Sequence, residues 1–117
     1  MAPRKPKKDT EAEVLEVIAA MSDADRRLAE RLHALVRATA PELVPRLWYG
    51  QPAYAWGGDV VVFFRGADHD AERYSTLGFT KHAALDDGNL WPTSYALTEL
   101  GPDEEARVAE LVKAALG

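Results

Sequence analysis

Residues 53–65 read AYAWGGDVVVFFR, and this stretch gives the clearest indication of the fold. Its two short apolar runs, 53–56 and 60–65, are rich in aromatic and β-branched residues, which favour strands. Between them lies Gly57-Gly58-Asp59, a sequence typical of a hairpin turn. The stretch therefore predicts an antiparallel hairpin at the centre of the chain.

Further strand-like segments flank this hairpin. The pattern predicts strands at 46–49, 74–79 and 94–99, so that the sheet has four or five strands in sequence order. Proline has no backbone N–H to donate to a neighbouring strand. We therefore expect Gly50-Gln51-Pro52 to form a bulge, a turn or an edge feature between the first two strands.

Two helices precede the strands and one follows them. Capping signals and apolar spacing predict helices over 10–21 and from Ser22 to about Ala40, where Pro41 ends the second. Gly101-Pro102 is typical of the start of a last helix. Helices on both sides of a run of strands predict an α+β fold. We expect a two-layer sandwich, an antiparallel sheet of four to six strands with the N- and C-terminal helices packed on one face.

Length and charge limit the functional classes. The 117 residues fit one domain, and the absence of cysteine excludes disulfides, thiolate metal sites and thiol nucleophiles. Four of the 14 basic residues lie in residues 1–8, which contain no acid, so residues 9–117 have a net charge of −9. We predict a disordered basic tail over 1–8, a single domain over 9–117, and no nucleic-acid partner.

The longest apolar run, Val60–Phe64, is far too short to span a bilayer. We therefore expect no membrane partner and a cytoplasmic location. The sequence contains no recognisable catalytic triad or nucleophile elbow, so no catalytic residue is predicted and enzymatic activity is not expected. The oligomeric state is left open between monomer and homodimer.

Several segments resemble the YdhG-like family of small bacterial domains. These are Trp48-Tyr49-Gly50-Gln51-Pro52-Ala53-Tyr54, the run 73–79, and Trp91-Pro92-Thr93-Ser94-Tyr95-Ala96-Leu97, and the likeness extends over about residues 11–116. The resemblance implies a frataxin-like α+β fold. One relative in that family is described as an iron chaperone, which implies a small non-enzymatic binding domain with weakly bound ferrous iron. The resemblance carries no fixed set of ligand residues to this chain.

Two groups of acidic residues are candidate metal ligands. Asp9, Glu13 and Glu16 recur at helical spacing, so that the first helix can present three carboxylates on one face, and hard cations such as ferrous iron prefer oxygen ligands. A solvated helix face has the same appearance. Asp68-His69-Asp70 is the second group, although neighbouring residues in an extended stretch point in opposite directions and an ordinary polar loop fits it equally well.

Aromatic residues provide the alternative function, a small-molecule or protein-binding pocket on the sheet. All ten aromatic residues lie between Arg46 and Thr98. Core packing and ordinary cross-strand pairs would also use such rings. The residues predicted to line the pocket and its rim are Trp48, Tyr49, Gln51, Tyr54, Arg73, Tyr74, Trp91 and Tyr95.

Iron binding on the first helix makes a direct prediction. Anaerobic titration with ferrous iron should broaden backbone amide resonances of residues 9–16, and a chelator should restore them. The double variant Glu13→Gln, Glu16→Gln should lose this effect, because it removes two of the three carboxylates. Unchanged iron affinity in that variant would show that the helix is not the site.

Overall fold

The computed structural model describes residues 9–117. The predicted α+β fold is confirmed: a five-stranded antiparallel sheet is combined with four helices in the described part of the chain. The elements in chain order are α1 (Thr10–Ala19), α2 (Asp23–Thr39), β1 (Val44–Trp48), β2 (Gln51–Trp56), β3 (Asp59–Arg65), α3 (Ala67–Asp70), β4 (Ser75–Phe79), β5 (Ser94–Leu97) and α4 (Pro102–Ala115).

The sheet is a meander in which each strand pairs with the next, in the order β1-β2-β3-β4-β5. Gly57 and Gly58, with φ of 60° and 89°, form the predicted turn between β2 and β3. The turn between β1 and β2 consists of Tyr49 and Gly50, with φ of 51° and 75°. Two successive residues with positive φ twist in the sense that two-residue hairpins require.

The expectation for Gly50-Gln51-Pro52 is therefore confirmed for Gly50, which lies in this turn, and wrong for Gln51 and Pro52. Gln51 and Pro52 already belong to β2, where Pro52 lies opposite Leu47 of β1. The pairing of β2 with β3 begins one residue later, at Ala53. Because no β3 residue lies opposite Pro52, its missing N–H removes no hydrogen bond on that side.

One face of the sheet and three helices form the main core. Each helix contributes an apolar stripe at the spacing expected for a helix packed on one side. The Arg31 guanidinium also pairs with Glu105, which links α2 to α4, so the helices before and after the sheet lie side by side. The core residues include Val14, Ile18, Leu32, Val36, Val108 and Val112 from the helices, and Tyr54, Val62, Phe64, Leu77 and Leu97 from the sheet.

A chain of polar groups crosses this core. The His33 ring lies between Glu11 and Tyr54, with Nε2 2.9 Å from the Glu11 Oε2 and Nδ1 2.9 Å from the Tyr54 hydroxyl. A carboxylate can only accept, so Nε2 donates to Glu11, and a neutral imidazole then accepts the Tyr54 O–H at Nδ1. The Arg37 Nε, 3.1 Å from the same Glu11 oxygen, completes the chain.

The Tyr54 side chain is completely buried. Burial, and secondarily the negative charge of Glu11, raise the pKa of Tyr54 well above its usual value, and the charge of Arg37 opposes this rise. The phenol is therefore a permanent hydrogen-bond donor inside the core rather than a group that ionises.

Two expectations from the sequence concern the chain as a whole. The predicted disordered tail over residues 1–8 lies outside the described residues. Among the helices of residues 9–117, none combines the length and the apolar character needed to cross a membrane.

We expect Tyr54→Phe to lower the free energy of unfolding by about 1–3 kcal/mol, because it leaves the buried Nδ1 of His33 without a donor. The matched control is Tyr74→Phe, since Tyr74 is exposed, and it should change stability by less than about 0.5 kcal/mol. Urea denaturation of both variants measures the difference. Equal stability of the two would contradict a structural role for the hydrogen bond.

Candidate functional site

The three carboxylates predicted along the first helix lie in separate environments. Asp9 is the N-cap of α1, where its Oδ1 accepts the backbone N–H of Ala12 at 3.0 Å. Glu13 is half-buried and Glu16 is exposed. Within residues 9–117, no three His, Asp or Glu side chains converge closely enough to hold a metal ion.

The second acidic group, Asp68-His69-Asp70, forms α3 rather than an extended loop. Its side chains are already engaged in separate contacts. The Ser22 hydroxyl donates to Asp68 at 2.6 Å, and the His69 Nδ1 lies 2.8 Å from an oxygen of Asp70. These three residues belong to the same short helix, but their polar atoms are not directed at one point.

The predicted aromatic pocket is divided between different parts of the molecule. Tyr54 lies in the main core, and Tyr95 packs against that core on the same face of the sheet. Trp48 lies on the opposite face, where it packs against a separate cluster of strand residues. The five strands therefore separate the rings that the sequence analysis placed together.

The other predicted pocket residues lie at further positions. Tyr49, at the tip of the first hairpin, is 83% exposed. The Arg73 guanidinium lies 5.4 Å from the ring centre of Tyr74 just before β4. Trp91 lies in the long connection between β4 and β5. The remaining residue, Gln51, lies in a cleft beside α1 and is described below.

The sheet face opposite the main core carries its own small apolar cluster. Ala53, Ala55 and Val60 are buried there, with Trp48 and Phe63 packed on them. Side chains of paired residues in an antiparallel sheet lie on the same face. The register places Arg46, Ala53, Phe63 and Gly78 in one row across four strands.

Phe63 lies at the centre of this face. A Cβ atom at Gly78 would lie 2.1 Å from the Phe63 Cζ, so glycine provides the space that the ring occupies. Trp48 packs against one side of the ring, with 5.2 Å between ring centres. The Arg65 guanidinium lies 5.5 Å from the ring centre, within cation–π distance. This face therefore combines aromatic rings with positive charge.

A β-bulge in β3 positions a further cation, Lys81. The register shifts within the β2–β3 pair, where Ala55 lies opposite Val60 and Tyr54 opposite Val62. Thr80, just after β4, bonds this irregular part of β3: its N–H donates to the Val61 carbonyl at 3.0 Å and its hydroxyl to the Val60 carbonyl at 2.5 Å. The bulge thereby holds the Thr80-Lys81 segment beside β3.

The resulting depression is the candidate site. Its volume is about 530 Å³, which lies within the range typical of small-molecule sites. The Trp48 indole provides an apolar wall, and Arg46 and Lys81 provide positive charge. Within residues 9–117, no carboxylate forms an ion pair with either cation. The lining residues are Arg46, Trp48, Gly58, Asp59, Val60, Thr80, Lys81 and His82.

One acid, Asp59, also lines the depression, and its Oδ2 lies 3.7 Å from His82 Nδ1. Arg46 and Lys81 are both exposed, which leaves their donor groups accessible to a ligand. The arrangement suits a planar, negatively charged molecule better than a metal ion.

Sequence reasoning identified Trp48 but missed Arg46, Lys81 and His82. The spacing of Arg46 and Trp48, two residues apart in a strand, does indicate a shared face. The position of Lys81 depends on the bulge at Val60 and Val61, and no local pattern in a run of three valines indicates where a strand will bulge.

No protein-family model matches this chain, and no match is found among curated proteins or solved structures. The resemblance to the YdhG-like family therefore stays a prediction from the sequence.

Proposed function

We propose that this chain is a small non-enzymatic binding domain that holds a planar aromatic anion in the depression beside Trp48. The observation that carries the proposal is a pair of exposed cations beside an indole ring, Arg46 and Lys81, neither of which pairs with a carboxylate of residues 9–117. An aromatic carboxylate or a mononucleotide has the required combination of a flat ring and a negative group.

Each side chain has a distinct role in this proposal. Trp48 offers an apolar surface against which an aromatic ligand can stack. Arg46 presents a planar guanidinium that binds carboxylate or phosphate with two parallel hydrogen bonds, and Lys81 adds a mobile point charge. The fully buried Tyr54 cannot reach a ligand, which favours binding over a reaction that uses the Glu11–His33–Tyr54 chain.

Net charge limits the size of the ligand. The chain has a formal charge of −5, so most of its surface repels a long polyanion. A small anion contacts the local cations without meeting the acidic remainder of the surface. This supports the expectation that nucleic acid is not the partner.

The other predictions from the sequence stay proposals. Weak binding of ferrous iron along α1 depends on Glu13 and Glu16 and requires the titration described above. A cytoplasmic location agrees with a sequence that has no cysteine.

Calorimetric titration with 2-naphthoate tests the anion site. We expect binding by the native protein and a roughly tenfold weaker affinity for Arg46→Gln, because the variant loses a charge-assisted hydrogen bond. Lys81→Gln should also weaken binding, and 2-naphthylmethylammonium should bind far less tightly than 2-naphthoate because its charge is opposite.

Arg107→Gln is the matched control. Its guanidinium also lies near an aromatic ring, 5.9 Å from the centre of Tyr95, but on the face that packs against the helices. This variant should bind 2-naphthoate with unchanged affinity. An equal loss in the Arg107 and Arg46 variants, or equal binding of the two naphthyl ions, would overturn the proposal.

A further inference from the structure

A second recess lies on another part of the molecule. It is a cleft of about 420 Å³ between the end of α1, the start of α2, the β1–β2 turn and α3. It shares no lining residue with the depression beside Trp48. The lining residues are Val17, Ala20, Met21, Ser22, Asp25, Gly50, Gln51, Asp68 and His69.

The polar wall of this cleft is fixed by Asp25. Its side chain is 3% exposed, and its two oxygens accept the backbone N–H groups of Asp68 and His69, each at 3.2 Å. A Cβ atom at Gly66 would lie 2.1 Å from an Asp25 oxygen, so glycine is required for this close approach. The Ser22 hydroxyl donates to Asp68 and joins the same network.

Gln51 provides a second, independent observation. Its side chain is 7% exposed, and its amide nitrogen donates to the Gly50 carbonyl at 3.2 Å. The buried Oε1 has no hydrogen-bond partner among residues 9–117. Buried polar atoms are nearly always hydrogen-bonded in native proteins, and an unpaired acceptor next to a cleft indicates a missing donor.

The charge of the cleft indicates which ligand would supply that donor. Asp25 and Asp68 contribute carboxylates, whereas no lysine or arginine among residues 9–117 lines the cleft. The His69 Nδ1 is already within hydrogen-bond distance of Asp70. A ligand must therefore bring positive charge and several N–H donors. The opposite wall is apolar and suits a short alkyl group. It consists of Val17 in α1 and of Ala20 and Met21, which follow the helix.

We propose that this cleft binds a small primary alkylammonium ion. The ammonium group donates to the Gln51 Oε1 and to the Asp68 carboxylate, and the alkyl chain packs along the end of α1. An organic cation fits better than a metal ion, because no three metal-ligating side chains converge within residues 9–117. The site is independent of the anion site, so each can fail without the other.

Amide NMR titration with n-butylammonium, up to about 50 mM, tests the proposal. We expect shifts confined to residues near the cleft, in the segments 17–25, 50–51 and 66–69. Neither n-butanol nor butyrate should produce these shifts, because the first lacks the charge and the second has the opposite charge. Absence of shifts with n-butylammonium, or equal shifts with n-butanol, would overturn the proposal.

Two variants and one control locate the site. Asp68→Asn should weaken n-butylammonium binding at least threefold, while its amide oxygen can still accept the Ser22 hydroxyl. Gln51→Met removes the unpaired acceptor at similar side-chain length and should weaken binding without loss of folding. Asp70→Asn removes a neighbouring charge that does not line the cleft, and it should leave affinity within about twofold. Equal losses in the Asp68 and Asp70 variants would contradict the assigned site.

Discussion

The constraint on which the structure depends is that the five-stranded sheet is packed against helices on one face. That face meets α1, α2 and α4, so the fully buried Tyr54 hydroxyl must find a partner inside the core. His33 supplies the partner, and Glu11 and Arg37 extend the hydrogen-bond chain towards the surface. These contacts fix the first two helices relative to β2.

The opposite face follows from the same constraint. Its apolar floor of alanine and valine is covered by the rings of Trp48 and Phe63. The glycine at position 78 allows the Phe63 ring to lie across β4, and the bulge in β3 holds the backbone of Thr80 and the adjoining lysine beside β3. The rings are thus fixed by the sheet itself, and a rigid sheet is a suitable platform for recognition.

Most of the fold could be predicted because its signals are local. Helix capping at Ser22 and the double glycine at 57–58 lie within a few residues of the structure that they determine. The candidate sites depend on distant partners instead. The capping signal at Ser22 predicts the start of α2 alone, yet Asp25 in the first turn of that helix also holds α3, more than 40 residues away. The division of the aromatic rings between two faces likewise required the register, which one sequence does not specify.

The central claim is that Trp48 lies on an accessible face with positive local charge. Its most direct test is fluorescence quenching in a variant with Trp56→Phe and Trp91→Phe, which leaves Trp48 as the single indole. At matched ionic strength, and relative to a free tryptophan amide, iodide should quench this fluorescence at least about twice as efficiently as caesium, because the cations attract the anionic quencher. Equal quenching by the two ions, or stronger quenching by caesium, would contradict the account.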